Sequence, residues 1–368
     1  MSLSKQLTLI GALCAYLVGA GFATGQETVQ FYSGWGSVWA SITVGVISFL
    51  MMFATYSAYA YAGRNHEIRD VSGIFRFYAG TEIGKLFELF AWMFNGCAYV
   101  FMVSGFGSVL LQQWAVPLEV GCALAVILSV TTAATGLTRM TKVIGKLGPF
   151  LILFTLFIGI VSSQEYYPRI AEGNAIIASG KVEVVRAGAN LVLSGLSYGG
   201  VCILLVSAMV GRVGVELRSY KVRYTNIILG VTAFAIPFVN IVMGLNHIGN
   251  IEEASQVPIP NLLLANHIFG SVGDLFSIII LLAIYSSLCP ILWTCVSMGV
   301  RDEKSNAYKL SCVCIGVLVY IVTLYIPYQT LLNVILTYCG LAGFLVFSVI
   351  TVRFLLIKYS DKNNTPIG

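Results

Sequence analysis

The chain has 368 residues, 58% of them hydrophobic and only 10% charged, with a mean hydropathy of +0.87. That little polar surface does not cover a water-soluble globule, and the apolar residues fall in runs of about 20, the length that crosses a bilayer's hydrocarbon core. The net charge of +5 calls for no nucleic-acid partner, because the basic residues lie where membrane topology places them.

In chain order, Met1 to Lys5 read as a short cytoplasmic tail. The first apolar segment, residues 7–31, lacks a small-residue cleavage site and runs on through Glu27, so it is read as a span and not a signal peptide. Nine more spans follow, at 38–62, 87–112, 117–136, 141–163, 187–211, 222–245, 268–299, 308–326 and 330–357. With the N-terminus inside, all but three of the 21 Lys and Arg residues fall on the cytoplasmic side, the exceptions being Arg169, Lys181 and Arg186. Such a bias sets ten spans with both termini inside. Nine cysteines are scattered singly through the apolar runs, which implies neither disulfides nor zinc.

Span 1 contains GAGFATG, Gly19 to Gly25, and span 6 contains SGLSYGG, Ser194 to Gly200. Two Gly-interrupted spans in corresponding positions five spans apart point to an inverted-repeat transporter. The expected division is a first five-span repeat over 1–163, an external loop at 164–186, a second repeat over 187–357 and a tail at 358–368. A helix broken at membrane depth frees backbone groups that lipid does not satisfy, so breaks belong where they line a cavity or touch a ligand. The alternative use of such glycines is close helix packing. Neither cluster has the Lys or the strand-to-helix setting of a phosphate loop.

Asn95 and Tyr99 in span 3 share a face by their i, i+4 spacing and are candidate side-pocket residues, or else packing contacts. Phe22, Trp92, Tyr198 and Tyr285 add a weak aromatic signal. In span 5, Lys146 is either a cavity amine or a lysine snorkelling at the membrane edge. Glu27 is a functional candidate by virtue of its depth, as a proton relay or the partner of a cationic solute. Span 8 carries LLAIYSSLCPILW, in which Ala283, Ser286 and Ser287 share a face and Pro290 deprives the Ser286 carbonyl of its usual donor. Hard oxygens gathered at membrane depth suit an alkali cation, while serines in membrane helices also bond back to their own backbone. The long external segments are 164–186 and 246–267. No nucleotide-binding motif and no nucleophile–base constellation around His66, His247 or His267 is legible, so neither a primary pump nor an enzyme is expected.

The stretch YLVGAGFATGQETVQFY resembles the signature of the YkvI-like membrane proteins, a bacterial group in the amino acid–polyamine–cation superfamily. The resemblance implies an all-α integral membrane protein of LeuT type, a 5+5 inverted repeat with helices 1 and 6 broken, in a bacterial cytoplasmic membrane. It implies one sodium ion held by the carbonyls of Ala15, Val18 and Ala283 and the hydroxyls of Ser286 and Ser287, and no organic cofactor. A second sodium site is not expected, since Phe22 stands where an amide side chain would be needed. The solute would lie against Gly19, Ala20, Gly21 and Phe22, with a carboxylate on the N–H groups of the last three, and against Ser194, Ser197, Tyr198 and Gly199 of span 6. The implied function is sodium-coupled symport of an amino acid or related amine by alternating access. The alternatives are a proton-coupled or uncoupled carrier using Lys146 or Glu27, and a ligand sensor like the spore-germinant receptors. The partners implied are a small-molecule solute and the lipid bilayer.

Overall fold

The structure, a computed structural model, describes residues 1–134, 147–270, 273–297, 299–300, 302 and 304–364. Its membrane helices are α1 (Leu3–Leu17), α3 (Val38–His66), α4 (Val71–Trp114), α5 (Leu118–Ala133), α6 (Leu147–Tyr166), α8 (Leu191–Glu216), α9 (Val222–Gly249), α11 (Gly273–Ser297), α12 (Asn306–Tyr325) and α13 (Tyr328–Asn364). Shorter helices include α2 (Ala20–Thr24) within span 1, and α7 (Ile170–Ser179) and α10 (Pro260–Phe269) in the segments that precede spans 6 and 8. Seven of the described helices are long and apolar enough to cross a bilayer, and α1 and α5 are shorter apolar helices. Large side chains such as Ile127, Leu153 and Leu318 stand exposed on the outside, as a lipid-facing surface requires.

Helix starts follow the local sequence. Ser37 Oγ accepts from the Ala40 N–H at 3.0 Å, Asp70 from Gly73 at 2.8 Å, Asn190 from Leu193 at 2.9 Å and Ser305 from Tyr308 at 3.1 Å. Each cap satisfies a first-turn donor that a helix leaves unpaired. Helix α4 begins well before the expected start of span 3 at 87, and it turns at Gly80, whose φ is 76°. The inner connection is therefore largely helical.

Helix α3 packs on α8 and α9, and α1 packs on the same two, so spans 1, 2, 6 and 7 form one body. Helix α4 packs on α5, α11 and α12, and α11 on α5, which joins spans 3, 4, 8 and 9 into a second body. Span 5 lies against α9 and α1, and span 10 against α8 and α4. At the face that holds the N-terminus Arg64 donates to the carbonyls of Leu217 and Tyr220, Lys5 pairs with Glu216 at 3.0 Å and Arg218 pairs with Glu67. These contacts lash the inner ends of spans 1, 2 and 6 together. At the opposite face Lys181 pairs with Glu252 at 2.5 Å, and that hydrogen bond raises the lysine pKa.

One expectation is corrected: span 6 is not broken. Helix α8 runs without interruption through Ser194–Gly200, so its backbone groups are satisfied within the helix. The glycines serve close packing instead. A Cβ on Gly200 would collide with the Gly340 backbone in α13, one on Gly343 with Gly200, and one on Gly195 with Ile47 of α3. The hydroxyls join neighbouring backbones in the same way: Ser194 Oγ donates to the Phe31 carbonyl at 3.0 Å and Ser197 Oγ to Leu336 at 3.0 Å and Thr337 at 2.9 Å. This is the small-residue helix contact that membranes favour.

Overpacking that contact is expected to cost about 1–3 kcal/mol. Gly200→Val should therefore lower the melting temperature of the detergent-solubilised protein by several degrees, whereas Gly96→Val, with open space at its Cβ, should leave it nearly unchanged; differential scanning fluorimetry compares the two.

Candidate substrate cavity and cation site

Span 1 does break. Helix α1 ends at Leu17; Val18 (ψ 94°) and Gly19 (φ −100°, ψ −171°) are extended. The five residues of α2 follow and close on Gly25 in the left-handed region at φ 88°, where only glycine is at ease. The first-turn N–H groups of α2 belong to Ala20, Gly21 and Phe22, the donors to which the sequence assigned a carboxylate. At its other end, Asn261 of α10 donates to the carbonyls of Phe22 at 3.2 Å and Ala23 at 3.1 Å, and its Oδ1 meets His247 Nε2 at 2.9 Å. Thr24 Oγ1 shares a hydrogen bond of 2.9 Å with Tyr328 Oη. The second external segment thus caps the broken helix.

Glu27 is buried beyond this break and folds back over it. A Cβ on Gly21 would overlap the Glu27 carboxylate, so Gly21 is the residue that admits it. Tyr198 Oη donates to Glu27 Oε2 at 3.1 Å and accepts from Asn240 Nδ2 at 2.8 Å, and Asn240 Oδ1 accepts from Thr28 Oγ1 at 2.6 Å. Among the described residues Glu27 enters no ion pair. With Gly19 it lines a small cavity whose remaining wall is apolar apart from the Cys202 thiol, with Phe94, Ala98, Phe101 and Met102 of α4 on one side and Val201 and Cys202 of α8 on another. The cavity measures about 20 Å³, room for a water or two.

At the inner end of the break, span 8 meets the unwound segment. Ser287 Oγ donates to the Val18 carbonyl at 2.6 Å and also lies 3.4 Å from the Ala283 carbonyl. Ser286 Oγ donates to the Ala283 carbonyl at 2.7 Å. Ala15, Val18, Ala283, Ser286 and Ser287 are all buried, and Ala15 belongs to the last turn of α1, whose carbonyls the helix leaves unpaired. The donor set of carbonyl and hydroxyl oxygens fits a hard monovalent cation.

Other candidates fall elsewhere. Asn95 donates back to the Ala91 carbonyl at 2.7 Å and its Oδ1 is buried without a partner. Tyr99 bonds Ser129 of α5 at 2.7 Å, inside the second body. Tyr285 bonds Thr132 at 2.6 Å, and Trp92 is half-exposed with its Nε1 on the Cys295 carbonyl at 3.4 Å. Of the four span 6 candidates Tyr198 reaches Glu27 beside the break; Ser194, Ser197 and Gly199 face neighbouring helices. Lys146 lies outside the described residues.

The sequence reading missed an amide seam on the external side. Gln26 donates to the Val257 carbonyl at 2.7 Å, Gln329 to the same carbonyl at 2.9 Å, Gln30 to Gln26 at 3.2 Å and Asn333 to Gln30 at 3.0 Å. It ties span 1 to span 10 and the second external segment. Four amides spread over residues 26–333 give no local motif, and only Gln26 and Gln30, one helical turn apart beside Glu27, hinted at it.

No protein-family model and no curated protein sequence matches the chain. Solved structures do. It superposes on MhsT in complex with L-phenylalanine with a TM-score of 0.63 at 15% identity, covering 96% of this chain and 98% of that one. It superposes on Mhp1, a nucleobase-cation-symport-1 family transporter in a closed conformation with bromovinylhydantoin bound, with a TM-score of 0.56 at 12% identity, covering 96% and 90%. A manganese transporter of Eremococcus coleocola in complex with an aromatic bis-isothiourea compound gives 0.56 at 14% identity, covering 95% and 85%. The chain is a multi-pass integral membrane protein with the LeuT fold.

Tyr198→Phe would leave the buried carboxylate without its donor and Asn240 Nδ2 with only the Ile236 carbonyl, at 3.2 Å. The expected loss is about 1–3 kcal/mol of stability, read as a lower melting temperature; Tyr325→Phe, at an exposed tyrosine, is the control.

Proposed function

We propose that this protein is a secondary transporter of YkvI-like type that carries a small amine or amino-acid-like solute by alternating access, coupled to one sodium ion, with both termini in the cytoplasm of a bacterial cell. The observation that carries this reading is the Ser287 hydroxyl on the Val18 carbonyl at 2.6 Å. It joins span 8 of one helical body to the unwound backbone of span 1 in the other. A sodium ion taking the oxygens of Ala15, Val18, Ala283, Ser286 and Ser287 would bridge the two bodies and favour the arrangement in which those oxygens converge. Its binding energy would thus be tied to the state that accepts solute.

The LeuT fold serves transporters of dissimilar cargo, so the solute is argued from the site and not from the fold. Among the described residues no group of three His, Cys, Asp or Glu side chains could hold a metal ion, which favours an organic solute over a transition metal. The described histidines sit in structural contacts, His66 against Phe77, His247 on Asn261 and His267 on Glu165 at 2.8 Å.

Proton coupling is the second reading, and the observation favouring it is Glu27, a carboxylate at membrane depth with no ion-pair partner among the described residues. A sensor of the same fold would bind solute without accumulating it.

Reconstituted in proteoliposomes, the protein is expected to accumulate radiolabelled solute under an inward sodium gradient and not under a choline gradient. Ser286→Ala combined with Ser287→Ala should remove that sodium dependence while leaving the protein extractable and monodisperse. Sodium dependence that survives the double change would overturn the cation site, and uptake driven by a pH gradient and lost in Glu27→Gln would select the proton reading.

A further inference from the structure

We infer that the solute is an organic monocation, an alkyl- or arylammonium without a carboxylate of its own, whose ammonium group pairs with Glu27. The inference rests on the transporter reading above and narrows its cargo. Glu27 brings the single carboxylate of the cavity wall, and the remaining lining is aliphatic, aromatic, thioether and thiol. An ionised carboxylate taken out of water is costly unless it is paired and hydrogen-bonded. Tyr198 supplies one hydrogen bond, to Oε2 at 3.1 Å, and no described cationic side chain supplies the charge. The groups that face it are the Tyr198 hydroxyl and the Cys202 thiol of α8, the hydroxyls of Tyr32 in its own span and of Tyr328 in α13 and, behind Tyr198, the Asn240 amide of α9. When Glu27 is ionised, the counter-charge is therefore brought by the solute.

The same geometry excludes an anionic head. The Glu27 carboxylate stands against Gly21, beside the first-turn N–H groups of α2 that would otherwise hold a solute carboxylate. An anion placed there would meet a like charge in a medium that screens it poorly. The sodium oxygens lie at the inner end of the break and leave the carboxylate free for a second positive charge. Phe94, Phe101 and Met102 offer the apolar body of the solute aromatic faces and a deformable thioether. At about 20 Å³ the cavity holds no organic molecule until the two helical bodies part, so the wall's chemistry, not its present volume, defines the class.

The test uses the full-length protein in detergent with sodium present and reads saturable shifts in melting temperature. The probes are methylamine, butylamine and phenethylamine, the zwitterion phenylalanine, the anion 3-phenylpropionate and the neutral 2-phenylethanol. At least one amine should bind at least tenfold more tightly than phenylalanine, with no saturable response to the anion or the alcohol. Glu27→Gln should weaken amine binding at least tenfold, and Glu27→Asp, which keeps the charge, should retain the preference for amine over zwitterion. Binding of phenylalanine as tight as that of the best amine, or amine binding unchanged in Glu27→Gln, overturns the inference while leaving the transporter intact. Silence from all three amines also overturns it, and a sodium-dependent shift in the absence of any organic probe then shows whether the cation site stands independently.

Discussion

A backbone interrupted inside a membrane must find partners within the protein, and most of what is distinctive in this structure is the set of partners that span 1 has found. The carbonyls that α2 leaves at its end are taken by Asn261, and the carbonyl of Val18 by Ser287. Each partner comes from a different element, one from an external helix and one from the opposite helical body. A break that were merely flexible would need none of this; in lipid it becomes a junction on which the segment holding α10, the cavity and the span 8 serines all converge.

The junction also explains why Glu27 is tolerable. Its hydrogen bond to Tyr198 is one link in a chain that ends at Thr28, only one residue further along the same span. The carboxylate is thus oriented by a loop of polar contacts passing through spans 6 and 7 and returning to span 1. Movement of those spans relative to one another would alter the carboxylate's surroundings, which is the kind of linkage a carrier needs between solute occupancy and conformation.

Much of the fold was legible in the sequence, because run length and charge asymmetry depend on the bilayer alone. The glycine clusters show where that legibility ends. GAGFATG and SGLSYGG look alike as strings, yet one unwinds a helix and the other lets α8 approach α13 and α3. What separates them is the neighbour: Gly200 faces Gly340, and a helix opposite another glycine gains more from contact than from opening. The pairing of two glycines far apart in the chain is absent from either local string. Helical phase was a second blind spot. Asn95 and Tyr99 share a face, but the cavity is lined by their neighbours Phe94, Ala98, Phe101 and Met102. Polar character suggested a site for the first pair, whereas packing against α5 occupied Tyr99. Glu27 was visible because a carboxylate at that depth needs a reason to be there, and the span 8 serines because their spacing places them on one face.

The two faces of the molecule are secured by different chemistry. At the face that holds Lys5 the ends of spans 1, 2 and 6 are held by charged groups, Lys5 with Glu216, Arg218 with Glu67, and Arg64 on two carbonyls. On the external side span 1 is held to span 10 by neutral amides, Gln26, Gln30, Gln329 and Asn333. Ionic strength screens exposed charge pairs and leaves bonds between uncharged amides almost untouched. A rise in salt concentration at that face therefore weakens exposed ion pairs such as Lys181 with Glu252 and leaves the amide seam itself in place.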